Sequence, residues 1–393
     1  MNQNDHDDRH SSTRLIHTGG PAGDAVPLTT PIYETTTFVF ENAQEIVDYN
    51  DGRSTKFLYS RYDNPTVVAT ERKLAALDRA EAALLFSSGQ GATTTILLAH
   101  LKAGDEVVCS AAIYGGTLHL LDDVLTKFGV VPRFVSLDAL RSPERVLSDR
   151  TRLLWFESPI NPTLRCVDVR RVADACRARR VISVLDNTFA SPINQQPIAL
   201  GVDLAMQSVT KYLNGHSDVT GGCVAGSRAL VDPIATARRQ LGTVMDPYAA
   251  YALGRGLKTL PLRIARHNDN ARAVAEFLAG DSRVTSVYYP GQSNHPDHAI
   301  AAHQMTGFGG MVCFDLAGRY ERAARLYDRL NLIKRAASLG GVESLISLPV
   351  LTSQWGHTDE QLRDAGITRG MLRLSVGLED PADLIADLDQ ALG

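Results

Sequence analysis

Leu204-Ala205-Met206-Gln207-Ser208-Val209-Thr210-Lys211-Tyr212-Leu213-Asn214-Gly215-His216-Ser217-Asp218 starts as a short apolar run and ends in hydroxyls, one lysine and turn-forming residues. The same change recurs along the chain. Residues 82–86 lead into Ser87-Ser88-Gly89-Gln90-Gly91, and residues 106–109 are followed by Tyr114-Gly115-Gly116-Thr117. Residues 153–156 lead into Glu157-Ser158-Pro159-Ile160-Asn161-Pro162, and 181–185 into Asp186-Asn187-Thr188. Residues 133–135 and 223–225 are further apolar runs. Continuous rather than alternating apolar runs predict strands buried on both faces. Helical stretches lie between most of them. The fold class is therefore α/β, a mostly parallel sheet with helices on both sides.

Outward from this core the pattern changes. Residues 13–62 read as an extended arm, broken by Pro27, Pro31, Thr35-Thr36-Thr37 and Asn50-Asp51-Gly52. A helix is expected at 66–79. Past residue 255 comes a mostly helical stretch, 247–280, interrupted at Pro261. Strands are expected near 284–289, 309–315 and 371–376, and helices near 319–330 and 381–391. The expected organisation is a tail and arm over 1–62, a large domain over 63–256 and a small C-terminal α+β domain over 257–393.

Bulk properties exclude several classes. The net charge of -4 gives no basic field for nucleic acid. No apolar run reaches the roughly 18 residues of a transmembrane helix. Residues 1–12 are polar and read as a disordered tail rather than a secretory signal. The five cysteines are widely spaced, with no CxxC, and there is no HExxH. No metal site is expected, and a reducing, cytoplasmic setting is.

The polar residues cluster at the carboxyl ends of the expected strands, where open α/β sheets bind ligands. The loop Ser88-Gly89-Gln90 opens a helix whose free N–H groups make a phosphate cradle. Lys211 sits near two hydroxyls, Ser208 and Thr210. Asp186 closes a strand, and Tyr114 offers an aromatic face. Singly, each fits a solvated lysine, a helix cap or a core aromatic. Jointly they match pyridoxal 5′-phosphate (PLP): a lysine amine for the Schiff base, a carboxylate to keep the pyridine nitrogen protonated, and a cover for the ring. A nucleotide-binding Rossmann reading lacks GxGxxG after the first strand.

The chain resembles the Cys/Met-metabolism family of fold-type I PLP-dependent transferases, the aspartate-aminotransferase-like fold. Its members include cystathionine γ-synthase, cystathionine γ-lyase and methionine γ-lyase. The residues that carry the resemblance run from Thr13 to the C-terminus. They include Pro31-Ile32-Tyr33, Tyr59 through Thr66, Tyr114 through Thr117, Asp186-Asn187-Thr188-Phe189, Ser208 through Asp218, Ser338-Leu339-Gly340-Gly341 and Arg373 through Asp380.

The resemblance implies roles. Lys211 would carry the cofactor and shuttle protons, Asp186 would hold the pyridinium, and Tyr114 would stack on the ring. Gly89 and Gln90 amides in the Ser88-Gly89 loop, with Ser208 and Thr210 hydroxyls, would bind the phosphate. Tyr59 and Arg61 would reach the phosphate of a neighbouring subunit, giving an active dimer within a homotetramer. Tyr59 or Tyr114 would act as acid towards the leaving group. Asn161 would contact the ring hydroxyl side, Arg373 the substrate carboxylate, and Ser338 would position Lys211 or that carboxylate. The implied activity is α,γ-elimination or γ-replacement on a sulfur amino acid or activated homoserine. A β-lyase, a methionine γ-lyase and a specialised natural-product γ-substitution enzyme are the alternatives. The family's cystathionine enzymes commonly place glutamate where Ala337 stands, and methionine γ-lyases place cysteine at Gly116. The stretch Gln354-Trp355-Gly356-His357 also departs from the family, with Trp355 expected to fill a domain interface.

Overall fold

In the computed structural model, residues 10–18 and 27–393 are described. Of the tail expected over 1–12, residues 1–9 lie outside them, while Ser11 and Ser12 open a helix instead. Seven strands form the large sheet: β1 (Ala82–Phe86), β2 (Glu106–Ser110), β3 (Val131–Val135), β4 (Thr151–Glu157), β5 (Ile182–Asp186), β6 (Leu204–Ser208) and β7 (Gly222–Gly226). Their order is β1-β7-β6-β5-β4-β2-β3. Only β7 runs antiparallel to its neighbours. The other six strands therefore share one direction, and their carboxyl ends line one edge. Along β4, Leu153 and Trp155 enter one apolar core while Leu154 and Phe156 enter another. This alternation buries both faces of the sheet and explains why its strands read as unbroken apolar runs.

A second sheet follows: β8 (Ser286–Tyr288), β9 (Met311–Asp315), β10 (Lys334–Arg335), β11 (Leu345–Ser347) and β12 (Met371–Ser375), in the order β10-β11-β12-β9-β8. One face packs on the helices Leu260–Gly280, Tyr320–Arg329 and Pro381–Leu392. Leu372 and Leu374 meet Val274, Leu326 and Leu388 there. Arg373, between those leucines, must project from the other face. The short strands β10 and β11, of two and three residues, have no counterpart among the expected strands, because so few residues carry no period.

Two expectations need correction. The arm is not wholly extended: helices Ser11–His17 and Ala43–Asn50 lie within or beside it. Asn42 caps the second through its side chain, which accepts from the Glu45 amide, so a polar cap opens a helix in a segment read as broken. Trp355 fills no interface; it is 73% exposed. The stretch 247–280 divides as expected, into Pro247–Leu257 and Leu260–Gly280, with Pro261 in the first turn of the second helix, where its missing N–H costs nothing.

Asp78 ends the helix Pro65–Asp78, wholly buried, and accepts a hydrogen bond from Gln207 Nε2 on β6 at 3.1 Å. Burial pushes its carboxyl up to about 7. A folded-state value above the unfolded one favours the protonated form, so this contribution to stability is lost as pH rises through about 7. Asp78→Asn keeps an acceptor for Gln207 and removes the charge. Its melting temperature should exceed the parent's at about pH 8.5, by the equivalent of roughly 1–4 kcal/mol, and the gap should narrow as pH falls towards about 4. A gap independent of pH would refute this.

Candidate active site

The carboxyl edge of the large sheet and the free face of β12 enclose a cavity of about 590 Å³. Every residue singled out from the sequence lines it except Tyr59 and Arg61.

The loop after β1 supplies one wall. Ser88 caps the helix Gly89–His100, its Oγ accepting from the Gly91 amide at 2.9 Å. The first amides of that helix, at Gly89 and Gln90, therefore face the cavity without helical acceptors. A Cβ on Gly222 of β7 would lie 2.4 Å from the Ser88 carbonyl oxygen, so only glycine lets this loop settle on the sheet. A Cβ on Gly89 would sit 3.3 Å from Ser208 Oγ, which places that hydroxyl at the same cradle. Thr210 Oγ1 also lines the cavity, and it bonds to the Gly221 amide and carbonyl at 3.0 and 3.2 Å.

Lys211 follows β6 in a tight turn. Buried Arg263 holds the carbonyls of Tyr212 and Leu213 at 2.7 and 3.2 Å, which fixes the turn. Gly340 has φ +76°, and a Cβ there would meet the Tyr212 amide nitrogen at 2.6 Å. Glycine thus brings the Ser338 loop against the lysine turn. Lys211 Nζ donates to Ser338 Oγ at 3.0 Å. Burial, and then the charge of Arg373, hold its amine below the usual lysine range. That favours a neutral, nucleophilic amine.

Arg373 is 8% exposed. Its Nη1 donates to Asn161 Oδ1 at 2.9 Å and its Nη2 to the Ser338 carbonyl at 3.2 Å. Its Nε has no partner, and no carboxylate lies at ion-pair distance among the described residues. A buried guanidinium without a carboxylate awaits one.

Asp186 Oδ1 accepts the Thr188 amide at 3.0 Å and the Thr188 hydroxyl at 2.5 Å. Burial raises its carboxyl. Tyr114, 51% exposed, presents its ring to the cavity, and its amide donates to Glu157 Oε1 at 2.6 Å. Sequence reading gave neither Glu157 nor Thr188 a role. Their places, one ending β4 and the other two residues past Asp186, were the available signal.

Tyr59 and Arg61 sit on the arm. Arg61 Nη1 donates to the Arg239 carbonyl at 2.5 Å, and its guanidinium lies 4.9 Å from the Tyr62 ring centroid. Neither residue enters the cavity of its own chain.

The residues fit PLP. A helix N-terminus with glycine cradle and hydroxyls suits its phosphate, Asp186 has an oxygen left after Thr188 is satisfied, and Lys211 has no carboxylate partner.

Residues 12–393 match the family model of Cys/Met metabolism PLP-dependent enzymes. The chain is 44% identical over 386 residues to cystathionine gamma-synthase of Mycobacterium tuberculosis, spanning 97% of this chain and 96% of that protein. It is 41% identical over 384 residues to L-methionine gamma-lyase of Pseudomonas putida, spanning 97% and 96%. It superposes on the crystal structure of metB from Corynebacterium glutamicum with a TM-score of 0.92, at 39% identity and 99% coverage of both chains. The fold-type I architecture read from the sequence is therefore the right one, and the chain belongs to the Cys/Met metabolism family of PLP-dependent enzymes.

Proposed function

We propose that this enzyme acts at Cγ of a sulfur amino acid or an activated homoserine, by α,γ-elimination or γ-replacement. The observation that carries the reading is the pairing of Arg373, a buried cation without a carboxylate, with Lys211, whose amine is held nearby through Ser338. An α-amino acid offers a partner to each: a carboxylate for Arg373 and an α-carbon for the amine to serve. Relatives named cystathionine gamma-synthase and L-methionine gamma-lyase support the substrate class.

In this reading Arg373 takes the substrate carboxylate in a two-pronged grip, and Asn161 and the Ser338 carbonyl give up their bonds to it. Lys211 carries the cofactor through its amine and, once released, moves protons at Cα and beyond. Ser338 Oγ keeps the amine in place. Asp186 would hold the ring nitrogen of the cofactor and Tyr114 would cover its ring, and the Tyr114 hydroxyl is the acid for the group leaving Cγ. The cofactor, when bound, supplies the electron sink for charge developed at Cα. The wall offered by Ala337, Leu339, Thr352 and Ser353 is uncharged. The substrate beyond Cγ is therefore read as a thioether or ester rather than a second amino-acid head. The test is a panel of O-acylhomoserines, cystathionine, methionine and cysteine, with and without thiol. Release of 2-oxobutyrate or a thioether is expected; pyruvate from cysteine as the sole product would replace γ with β chemistry.

The active unit is read as a dimer within a homotetramer, in the cytoplasm. Support comes from Tyr59 and Arg61, which lie outside their own cavity, and from five buried, unpaired cysteines. Among the described residues no helix is long and apolar enough to cross a membrane. If Arg61 serves the neighbouring site, Arg61→Ala and Lys211→Ala are each inactive. Subunits unfolded and refolded together at equal amounts should regain about a quarter of the parent rate, because half of the dimers then hold one intact site. No regain would place both residues in one site.

A further inference from the structure

Glu157 is a buried carboxyl that the mechanism above leaves unused. It is 4% exposed and ends β4, and its Cα pairs directly with that of Asp186 on β5. Both side chains line the cavity. Neither forms an ion pair with Arg or Lys among the described residues. Lys211 and Arg373 line the same cavity, yet their hydrogen bonds go to Ser338 and Asn161. Cys109 of β2 lies buried beside Glu157, and burial pushes its thiol up. Glu157 accepts the Tyr114 amide at 2.6 Å and the backbone amide of Asn161. One side chain thus ties the loop after β2 to the loop after β4.

Two adjacent carboxylates in a buried, cation-poor edge repel each other and are poorly solvated, so one of them keeps a proton. Asp186, which would hold the cationic ring nitrogen, keeps the charge. Burial, then the charge of Asp186, pushes Glu157 well above the usual carboxylate range.

We propose that Glu157 is a positioning residue: as a neutral acid it fixes the backbone at Tyr114 and Asn161 and leaves Asp186 the single buried anion at the ring nitrogen. The inference rests on the roles given above to Asp186 and Tyr114.

Glu157→Gln and Glu157→Leu test it. Glutamine keeps a neutral carbonyl acceptor of the same length. PLP affinity of the apoenzyme should stay within roughly 2-fold, and the pH profile of kcat should not move. Leucine leaves the Tyr114 and Asn161 amides without their acceptor. PLP affinity should fall about 10-fold to 100-fold, with kcat falling more than the substrate KM rises. A glutamine variant as damaged as leucine, or one with a shifted pH profile, would show an ionised Glu157 and overturn the proposal. So would a harmless leucine variant. If the leucine variant does not fold, infrared difference spectra of the holoenzyme still decide: a protonated-acid carbonyl band should be present in the parent and lost in Glu157→Gln, and the absence of any such difference overturns the idea. A parent protein that takes up PLP without gaining a visible band would instead count against the site assignment itself.

Discussion

Lys211→Ala should be colourless in the visible range and should turn over substrate at least about 10⁴-fold more slowly than the parent. Both losses have one source. The amine that tethers the cofactor is also the proton carrier, and nothing nearby replaces it: among the cavity-lining residues the other cation is Arg373, whose guanidinium neither condenses with an aldehyde nor gives up a proton at ordinary pH. The loop itself should survive, because it is held by Arg263 through backbone carbonyls and not by the lysine side chain. The check is an absorption spectrum beside single-turnover kinetics on folded protein. A variant that keeps the visible band refutes the assignment of Lys211.

Arg373→Ala should lower kcat/KM by about 10²-fold to 10³-fold, mostly through KM, while the visible band persists. The size follows from removing a charge-assisted, two-pronged contact made by a buried guanidinium. Arg373→Lys should recover only part of the loss. A lysine presents a point charge, so it cannot match both carboxylate oxygens as the guanidinium fork does. Kinetics of the two variants on an amino acid and on its α-amide separate the cases. If the parent and Arg373→Ala discriminate equally between acid and amide, Arg373 does not read the carboxylate.

Much of this was visible in the sequence because burial on both faces writes itself as apolar runs. All seven strands of the large sheet coincide with such runs. The sheet extends them by a residue or two into polar positions: Glu157, Asp186 and Ser208 each close a strand. Hydrophobicity ends where the cavity begins, so the strand ends and the site were the same signal. The reversed direction of β7 was not legible, since a five-residue apolar run looks alike in either sense. The helix Ala43–Asn50 was hidden because it has no buried residue and so no apolar stripe. Glu157 was quoted but not understood. Its importance comes from standing next to Asp186 across two strands, a relation that register creates and sequence separation conceals.

The bonds from Lys211 to Ser338 and from Arg373 to Asn161 join the two sheets to each other. A substrate carboxylate that engages Arg373 must break the Asn161 link before making its own. Ligand affinity is then a difference between two sets of contacts, and the resting enzyme is its own competitor. A tighter clasp would weaken binding and hasten release; a looser one would do the reverse. Substitutions at Ser338 or Asn161 therefore tune residence time even where they leave the reacting atoms untouched.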